Sequence, residues 1–482
     1  MNTSTTMNAM TNEKVRHAGV TDEMQAVLDQ VQTKTLLLDA LDKVRLPTEA
    51  VLWKQALVLV DKRPLAVDVD AQGDALVDFS ILESVPNLLV ARLLTADRSP
   101  VLDRCRAAMI GMAMGDAVGA ALEFMPVVDT PGAGGAAANL QEPSFFTGSP
   151  VNSHNVKPGQ WTDDTSMGLC LADSLLVHSQ YNGSDFNARL WSWYRCGYNN
   201  AFQHESDESR AGESAQFYKE AMLPIRESIG AGGGIKKALN SLRAGMPLPA
   251  EIDLGTPEDG NAALIRLAPV PVFCASQSVQ ACVEMAKQSC RATSSGHQAA
   301  EAAGFMSYLM HSALNRSGGA SIKEFLDEMA RAYSGLLEVR AENTAVQMLL
   351  RFLSATEPTD SSELCWNWRG EQLHIHQTLK NRGPLYNGYP VSDRYFGSYA
   401  FDGLAVALWA VYHSTCATDA IVRAANLLGD ADSTACIAGQ IAGAFYGSGS
   451  FQGEYLAQIR RWDPRAEIEL RGVLLFELGS TL

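Results

Sequence analysis

Two stretches of this chain set carboxylates and hydroxyls side by side just before an apolar helical run. The first is Gly159-Gln160-Trp161-Thr162-Asp163-Asp164-Thr165, followed by Ser166-Met167-Gly168-Leu169-Cys170-Leu171-Ala172. The second is Leu427-Leu428-Gly429-Asp430-Ala431-Asp432-Ser433-Thr434, which leads into the small-residue run from Ala435 to Tyr446. Acidic residues at a helix start suit the helix dipole, so each stretch alone also reads as a well-capped helix. Successive helical residues diverge by about 100 degrees. Neighbours therefore converge on one point only in a non-helical lead-in or cap, which is where Thr162, Asp163, Asp164, Asp430, Asp432 and Ser433 lie. With no histidine or cysteine beside them, these oxygens suit Mg²⁺, Mn²⁺ or Ca²⁺ and suit zinc or copper poorly. Four carboxylates exceed the charge of one divalent ion and would bridge two, about 3.5–4 Å apart. Without metal, their mutual repulsion would loosen the site.

A third stretch, Gly111-Met112-Ala113-Met114-Gly115-Asp116-Ala117-Val118-Gly119-Ala120-Ala121-Leu122-Glu123, carries two further acids. Gly111, Gly115 and Gly119 form an i, i+4 ridge that permits close helix packing. Asp116 and Glu123 fall on one helical face of a segment too apolar for a solvated surface, so they pair with a buried cation or line a polar site. The run Gly230-Ala231-Gly232-Gly233-Gly234 precedes a helix and reads either as a turn or as a set of backbone N–H groups for an anion. His374 and His376 alternate, but beside Trp366 and Trp368 they read as structural.

The elements that must position these groups are mostly helices. From Val101 onward apolar and small residues recur at helical spacing in segments 102–122, 165–179, 186–200, 214–229, 234–243, 279–290, 297–314, 321–335, 340–354, 401–413, 417–428 and 433–446, which predicts a mainly all-α domain over 101–482. Gly/Pro-rich breaks at 131–160, 244–261 and 382–398 are the natural walls of a site. Ahead of this domain, residues 1–21 read as a disordered lead-in and residues 22–98 as a small α+β module. In that module a helix from Met24 to Leu41 precedes three short β-rich runs, Ala56–Val60, Leu65–Val69 and Ala75–Phe79, parted by turn signals.

With 482 residues, 46% of them hydrophobic and 19% charged, the chain is long and apolar enough for a large core. Its net charge of −16 argues against electrostatic binding to nucleic acid or anionic membrane. Its nine cysteines are scattered, with no C-x-x-C spacing, so neither a zinc site nor a disulfide framework is indicated. No apolar run approaches the length that crosses a bilayer, and the start of the chain lacks a basic-then-apolar signal. A cytoplasmic location is the expectation.

On these residues the chain resembles the ADP-ribosylglycohydrolase family, which includes the dinitrogenase reductase-activating glycohydrolases and the ADP-ribosyl-arginine and ADP-ribosyl-serine hydrolases. The resemblance rests on Gly115-Asp116-Ala117-Val118-Gly119 with Glu123, on Trp161 to Thr165, and on Gly429 to Ala435 with Gly439 and Gly443 to Gly447. It implies a compact multi-helix fold and a binuclear Mg²⁺ or Mn²⁺ centre held by Thr162, Asp163, Asp164, Asp430, Asp432 and Ser433. It makes Glu123 the mobile acid and places the catalytic weight on Glu123, Asp163 and Asp432. It puts substrate against Asp116, Gly230, Gly232, Gly233, Asn261 and Tyr399, with Arg266 flanking the same site. The implied activity is removal of ADP-ribose from an arginine or serine side chain of a modified protein. Two departures stand out: many relatives carry Thr-His where Thr293-Ser294 lies here, and Ser433 stands where many have threonine.

Two other readings keep the fold. One is hydrolysis of a free ADP-ribose derivative. The other is an immunity or binding protein that blocks an ADP-ribosyltransferase. The 22–98 module, which faintly resembles the small α+β domain of SseB-like secretion-associated proteins, would then bind a protein partner.

Overall fold

Ser99 caps the helix that runs through the centre of the molecule. Its hydroxyl accepts from the N–H of Leu102, Pro100 occupies the first turn, and Asp103 complements the dipole. This helix, Pro100–Gly119, is buried on every side from Ala107 to Gly119, the mark of a core helix. The computed structural model describes residues 49–62, 80–95, 99–131, 154, 156–201, 228–242, 248–255, 258–337 and 342–482.

Among these residues there are 18 α-helices. In chain order they are α1 (Glu49–Leu59), α2 (Asn87–Thr95), α3 (Pro100–Gly119), α4 (Asp163–His178), α5 (Gly183–Cys196), α6 (Gly233–Ser241), α7 (Ala262–Ile265), α8 (Pro269–Phe273) and α9 (Val279–Arg291). Then follow α10 (His297–Leu314), α11 (Ile322–Leu337), α12 (Thr344–Ser354), α13 (Ile375–Arg382), α14 (Ala400–Tyr412), α15 (Ala417–Ala425), α16 (Ala431–Tyr446), α17 (Gly453–Trp462) and α18 (Glu467–Gly479). The sheet among the described residues is one antiparallel hairpin, β1 (Leu385–Tyr386) with β2 (Tyr389–Pro390), in which Leu385 faces Pro390 and Tyr386 faces Tyr389. The mainly all-α reading therefore holds.

The centre of the fold is the pairing of α3 with α16. A Cβ on Gly111 would sit 2.1 Å from the Gly439 carbonyl oxygen, one on Gly115 2.1 Å from that of Ala435, and one on Gly119 2.3 Å from that of Ala431. The fit is reciprocal, since Gly443 approaches the Ala107 carbonyl in the same way, at 2.2 Å. The small-residue ridge of α3 thus lies in backbone contact with a matching ridge on α16. Helices α14, α15, α10 and α18 pack around this pair, and one contiguous apolar core joins them all.

The N-terminal region differs from expectation. Ala56–Val60, predicted as a strand, belongs to the helical segment of α1, with Val60 just past its end. A five-residue apolar run does not by itself separate strand from helix. Its burial does: within the run Ala56 and Val60 are covered while Leu57, Val58 and Leu59 are half-buried, an i, i+4 spacing of a helix. Helices α1 and α2 both pack on α18, and Leu82, Val85, Leu89 and Leu93 join the common core. The predicted helix Met24–Leu41 and the runs Leu65–Val69 and Ala75–Phe79 lie outside the described residues, as does most of the predicted helix 214–229. No helix of the described residues is long and apolar enough to cross a membrane.

Candidate active site

Thr162 is the N-cap of α4, but its side chain does not cap that helix. Its N–H and hydroxyl both turn to Asp116 on α3, donating to Oδ1 at 2.9 Å each. Thr165 donates to the other oxygen from its N–H at 2.9 Å and from its hydroxyl at 2.6 Å. Asp116 thus fastens the start of α4 to α3 from a fully buried position. Asp116, expected beside the substrate, accepts at both oxygens from the start of α4, where it fixes the direction in which Thr162, Asp163 and Asp164 point. A buried network holds α4 further along. Arg471 of α18 donates to Asp173 of α4 at 2.7 Å, Tyr198 donates to the same carboxylate at 2.7 Å, and the Trp161 indole N–H donates to the Asn199 carbonyl at 3.1 Å.

The second acidic helix start is placed by main-chain bonds between three short segments. Phe124 N–H donates to the Gly429 carbonyl at 2.8 Å, and Gly429 N–H donates back to Met125 at 2.9 Å. Asp430 N–H donates to the Phe396 carbonyl at 2.9 Å, and Val127 N–H to that of Asp393 at 2.6 Å. These bonds bring the turn after α3, the cap of α16 and the loop after β2 together, so that Glu123 faces the acids of α16. Gly429 has φ of 71°, a left-handed conformation that glycine adopts without strain. Asn261 spans the join, its amide donating to Asp430 Oδ2 at 2.7 Å and to the Gly397 carbonyl at 3.1 Å.

Asp163, Asp164, Asp430 and Asp432 are all nearly buried, at 7%, 1%, 2% and 3% exposure. Burial raises the carboxyls of Asp163 and Asp164 well above the ordinary range, and the neighbouring charges of Asp432 and Asp116 add to it. Burial and then Asp432 lift Asp430 to about 8. Asp116 rises to about 7 by burial, against the opposing hydrogen bond from Thr165. Glu123 is pushed up to about 12, by burial first and then by Asp432, Asp430 and Asp163. Among the described residues no lysine or arginine pairs with these carboxylates. Asp164 Oδ2 is buried without a hydrogen-bond partner, and Asp164 Oδ1 is met only at 3.4 Å by the Ser433 hydroxyl. An orphaned carboxylate oxygen within a crowd of hard oxygen donors fits a divalent cation such as Mg²⁺ or Mn²⁺.

The remaining expected residues divide. Gly230, at φ of 89°, lies against Asp163, and a Cβ there would sit 2.0 Å from Asp163 Oδ1. Gly232 and Gly233 open α6, and among the described residues nothing lies within 4 Å of where a side chain would begin, so this helix N-terminus follows directly on Gly230 beside Asp163. Tyr399, expected at the substrate, is 2% exposed; its hydroxyl donates to Gln298, and its ring packs among Tyr386, Tyr389 and Phe401. It serves as a core aromatic. Arg266, expected to flank substrate, is fully buried and donates to the Ser289 carbonyl and the Thr293 hydroxyl, with its guanidinium over the Phe186 ring. Thr293, at the position noted as a departure, is thus a partner of Arg266.

Three residues at the site escaped the sequence reading. His154 Nε2 is hydrogen-bonded to Glu123 Oε2 and lies 4.0 Å from Asp432 Oδ2, and these three side chains could share one cation. Burial lowers the His154 pKa against the opposing charge of Asp432. Phe124 and Tyr395 flank the same acids. The only signal for His154 was its place in the Gly/Pro-rich break 131–160.

The family model for ADP-ribosylglycohydrolase matches residues 97–479. The chain is 29% identical over 377 residues, 78% of its length and 79% of the relative's, to the ADP-ribosylarginine hydrolase Tri1 of Pseudomonas putida (strain GB-1). It is 27% identical over 349 residues, 72% and 73% of the two lengths, to the ADP-ribosylarginine hydrolase Tri1 of Serratia proteamaculans (strain 568). Among solved structures, an ADP-ribosylglycohydrolase-related protein complex superposes with a TM-score of 0.51 at 25% identity, covering 79% of this chain and 99% of the other.

Proposed function

Because the chain belongs to the ADP-ribosylglycohydrolase family, we propose that it is a metal-dependent hydrolase that removes ADP-ribose from arginine side chains of a modified protein. The observation that carries this reading is the convergence of two distant acidic helix starts, Thr162–Asp164 and Asp430–Ser433, on one buried point beside Glu123. The arginine linkage is carried by the two relatives, both named ADP-ribosylarginine hydrolases.

Thr162, Asp163, Asp164, Asp430, Asp432 and Ser433 would hold two Mg²⁺ or Mn²⁺ ions. When bound, such ions supply positive charge that offsets the carboxylates and stabilises charge in the transition state. The protein's own groups do the rest. Asp116 and Asn261 hold the two ligand segments in register, as outer partners of ligands do elsewhere. The backbone N–H groups at Gly232 and Gly233 receive the diphosphate. Hydrolysis puts the hydroxyl of water on the anomeric carbon and a proton on the departing guanidine nitrogen. Glu123, buried beside Asp432, Asp430 and Asp163, would relay that proton at Oε: it gives one to the departing nitrogen as the bond opens and takes one back from the attacking water as the hydroxyl joins the carbon.

The test is release of ADP-ribose from arginine-modified and serine-modified protein, with Mg²⁺, with Mn²⁺ and with EDTA. Release from the arginine substrate, lost in EDTA and in Asp163→Ala and Asp432→Ala, is expected. Full activity in those variants would sink the metal assignment. Release from the serine substrate alone would overturn the linkage.

A further inference from the structure

Phe124 is the residue of the site that the chemistry above leaves unused. It follows Glu123 with φ of 65°, a left-handed conformation that is a genuine outlier for a bulky side chain and that clusters at functional sites. That backbone turn sends the two neighbours opposite ways: Glu123 is 7% exposed, whereas Phe124 is 40% exposed. The strain therefore buries no ring. Tyr395, 39% exposed, lies alongside, with ring centroids 5.1 Å apart and planes 13° from parallel. Only five large hydrophobic side chains are exposed among the described residues, and these are two of them. Phe124 is anchored through its N–H to Gly429, next to Asp430. The Tyr395 hydroxyl is raised by Asp430 first, then by burial and by Glu123, Asp432 and Asp163, so it too lies within the field of the acids.

An exposed, nearly parallel aromatic pair at the edge of a negative cluster is a surface for a planar cation. A guanidinium is planar, weakly hydrated and always charged, and it stacks on aromatic faces. The diphosphate is assigned above to the backbone N–H groups at Gly232 and Gly233, whereas Phe124 and Tyr395 stand at Glu123 and Asp430. We infer that Phe124 and Tyr395 form the subsite for the guanidinium of the modified arginine and so select the leaving side of the scissile bond. This rests on the arginine linkage proposed above.

The experiment measures two quantities on wild-type protein and on Phe124→Ala, Phe124→Leu, Phe124→Trp, Tyr395→Ala and Tyr395→Phe. They are KM and kcat for an ADP-ribosylarginine peptide and Kd for free ADP-ribose, which lacks the guanidinium. Thermal unfolding of each variant confirms folding. Loss of a ring, in Phe124→Ala, Phe124→Leu or Tyr395→Ala, is expected to raise KM about tenfold. Kd for ADP-ribose stays within about twofold, and Phe124→Trp and Tyr395→Phe retain near-wild-type KM, since a ring face remains. If Kd for ADP-ribose worsens in step with KM, the pair serves the nucleotide and the inference is overturned. Unchanged KM in the ring-less variants overturns it too. Wild-type protein that releases nothing from the arginine peptide refutes the linkage, and the subsite with it, before any variant is compared.

Discussion

The closeness of α3 and α16 is the feature on which the site depends, and Gly115→Ala probes it directly. In an isolated helix this change stabilises by about 0.8–1.0 kcal/mol through propensity. Here the new Cβ would lie 2.1 Å from the Ala435 carbonyl oxygen and 2.6 Å from the Cys436 Cα, whereas a carbon approaches such an oxygen comfortably at about 3.3–3.6 Å. The two helices would have to part by about 1 Å. Both clashing partners are backbone, so no rotamer change relieves them. The strain falls in the upper part of the roughly 1–3 kcal/mol range for overpacking. Net destabilisation of about 1–2 kcal/mol is expected, seen as a fall in Tm of a few degrees. The larger effect is on activity. Helix α3 carries Asp116 and leads into Glu123, and the start of α16 carries Asp430 and Asp432. A displacement of about 1 Å at a reacting centre can cost about 100-fold in kcat. Gly232→Ala, with nothing within 4 Å of its Cβ and a φ of −66°, is the stability control and should leave Tm unchanged. Wild-type Tm and wild-type kcat in Gly115→Ala would refute the idea that backbone contact between these helices positions the carboxylates.

Protonation offers a second test. Asp116 and Asp430 are raised from 3.8 to about 7 and about 8 in the folded chain. Between those limits the native state holds protons that the unfolded chain has released, so stability falls as pH rises. In EDTA, Tm should be higher near pH 5.5 than near pH 8, and Mg²⁺ should restore Tm at the higher pH; a rise with pH in EDTA would count against the crowded-acid description. Asn261→Leu removes the donor 2.7 Å from Asp430 Oδ2 and should weaken Mg²⁺ or Mn²⁺ dependence of activity by about 10- to 100-fold; an unchanged metal titration would show that Asn261 does not support the ligand. Removal of residues 1–98 strips α1 and α2 from α18 and takes Leu82 and Val85 out of the common core. The truncated protein should aggregate or lose several degrees of Tm, and a soluble, equally stable product would show that this packing is dispensable.

How far the chain can be read without its structure follows from the range of each interaction. The donor set at Thr162–Asp164 and Asp430–Ser433 is legible because carboxylates and hydroxyls at helix starts are a local pattern. The ridge at Gly111, Gly115 and Gly119 is legible because an i, i+4 period is fixed by helix geometry. Ala56–Val60 misleads because five apolar residues satisfy a strand and a helix alike, and the choice rests with α18, against which that segment packs.

The sequence by itself therefore determined the all-α class, the two acidic helix starts and the small-residue seam that lets two helices touch. Only the tertiary structure decided that Asp116 holds the start of α4, that Tyr399 and Arg266 are buried, and that His154, Phe124 and Tyr395 stand at the acids. The physical reason is that these roles are set by bonds between segments far apart in the chain, such as Phe124 to Gly429 and Asn261 to Asp430. A residue's type and its neighbours in sequence specify what it can donate or accept, but not which partner the fold brings within reach.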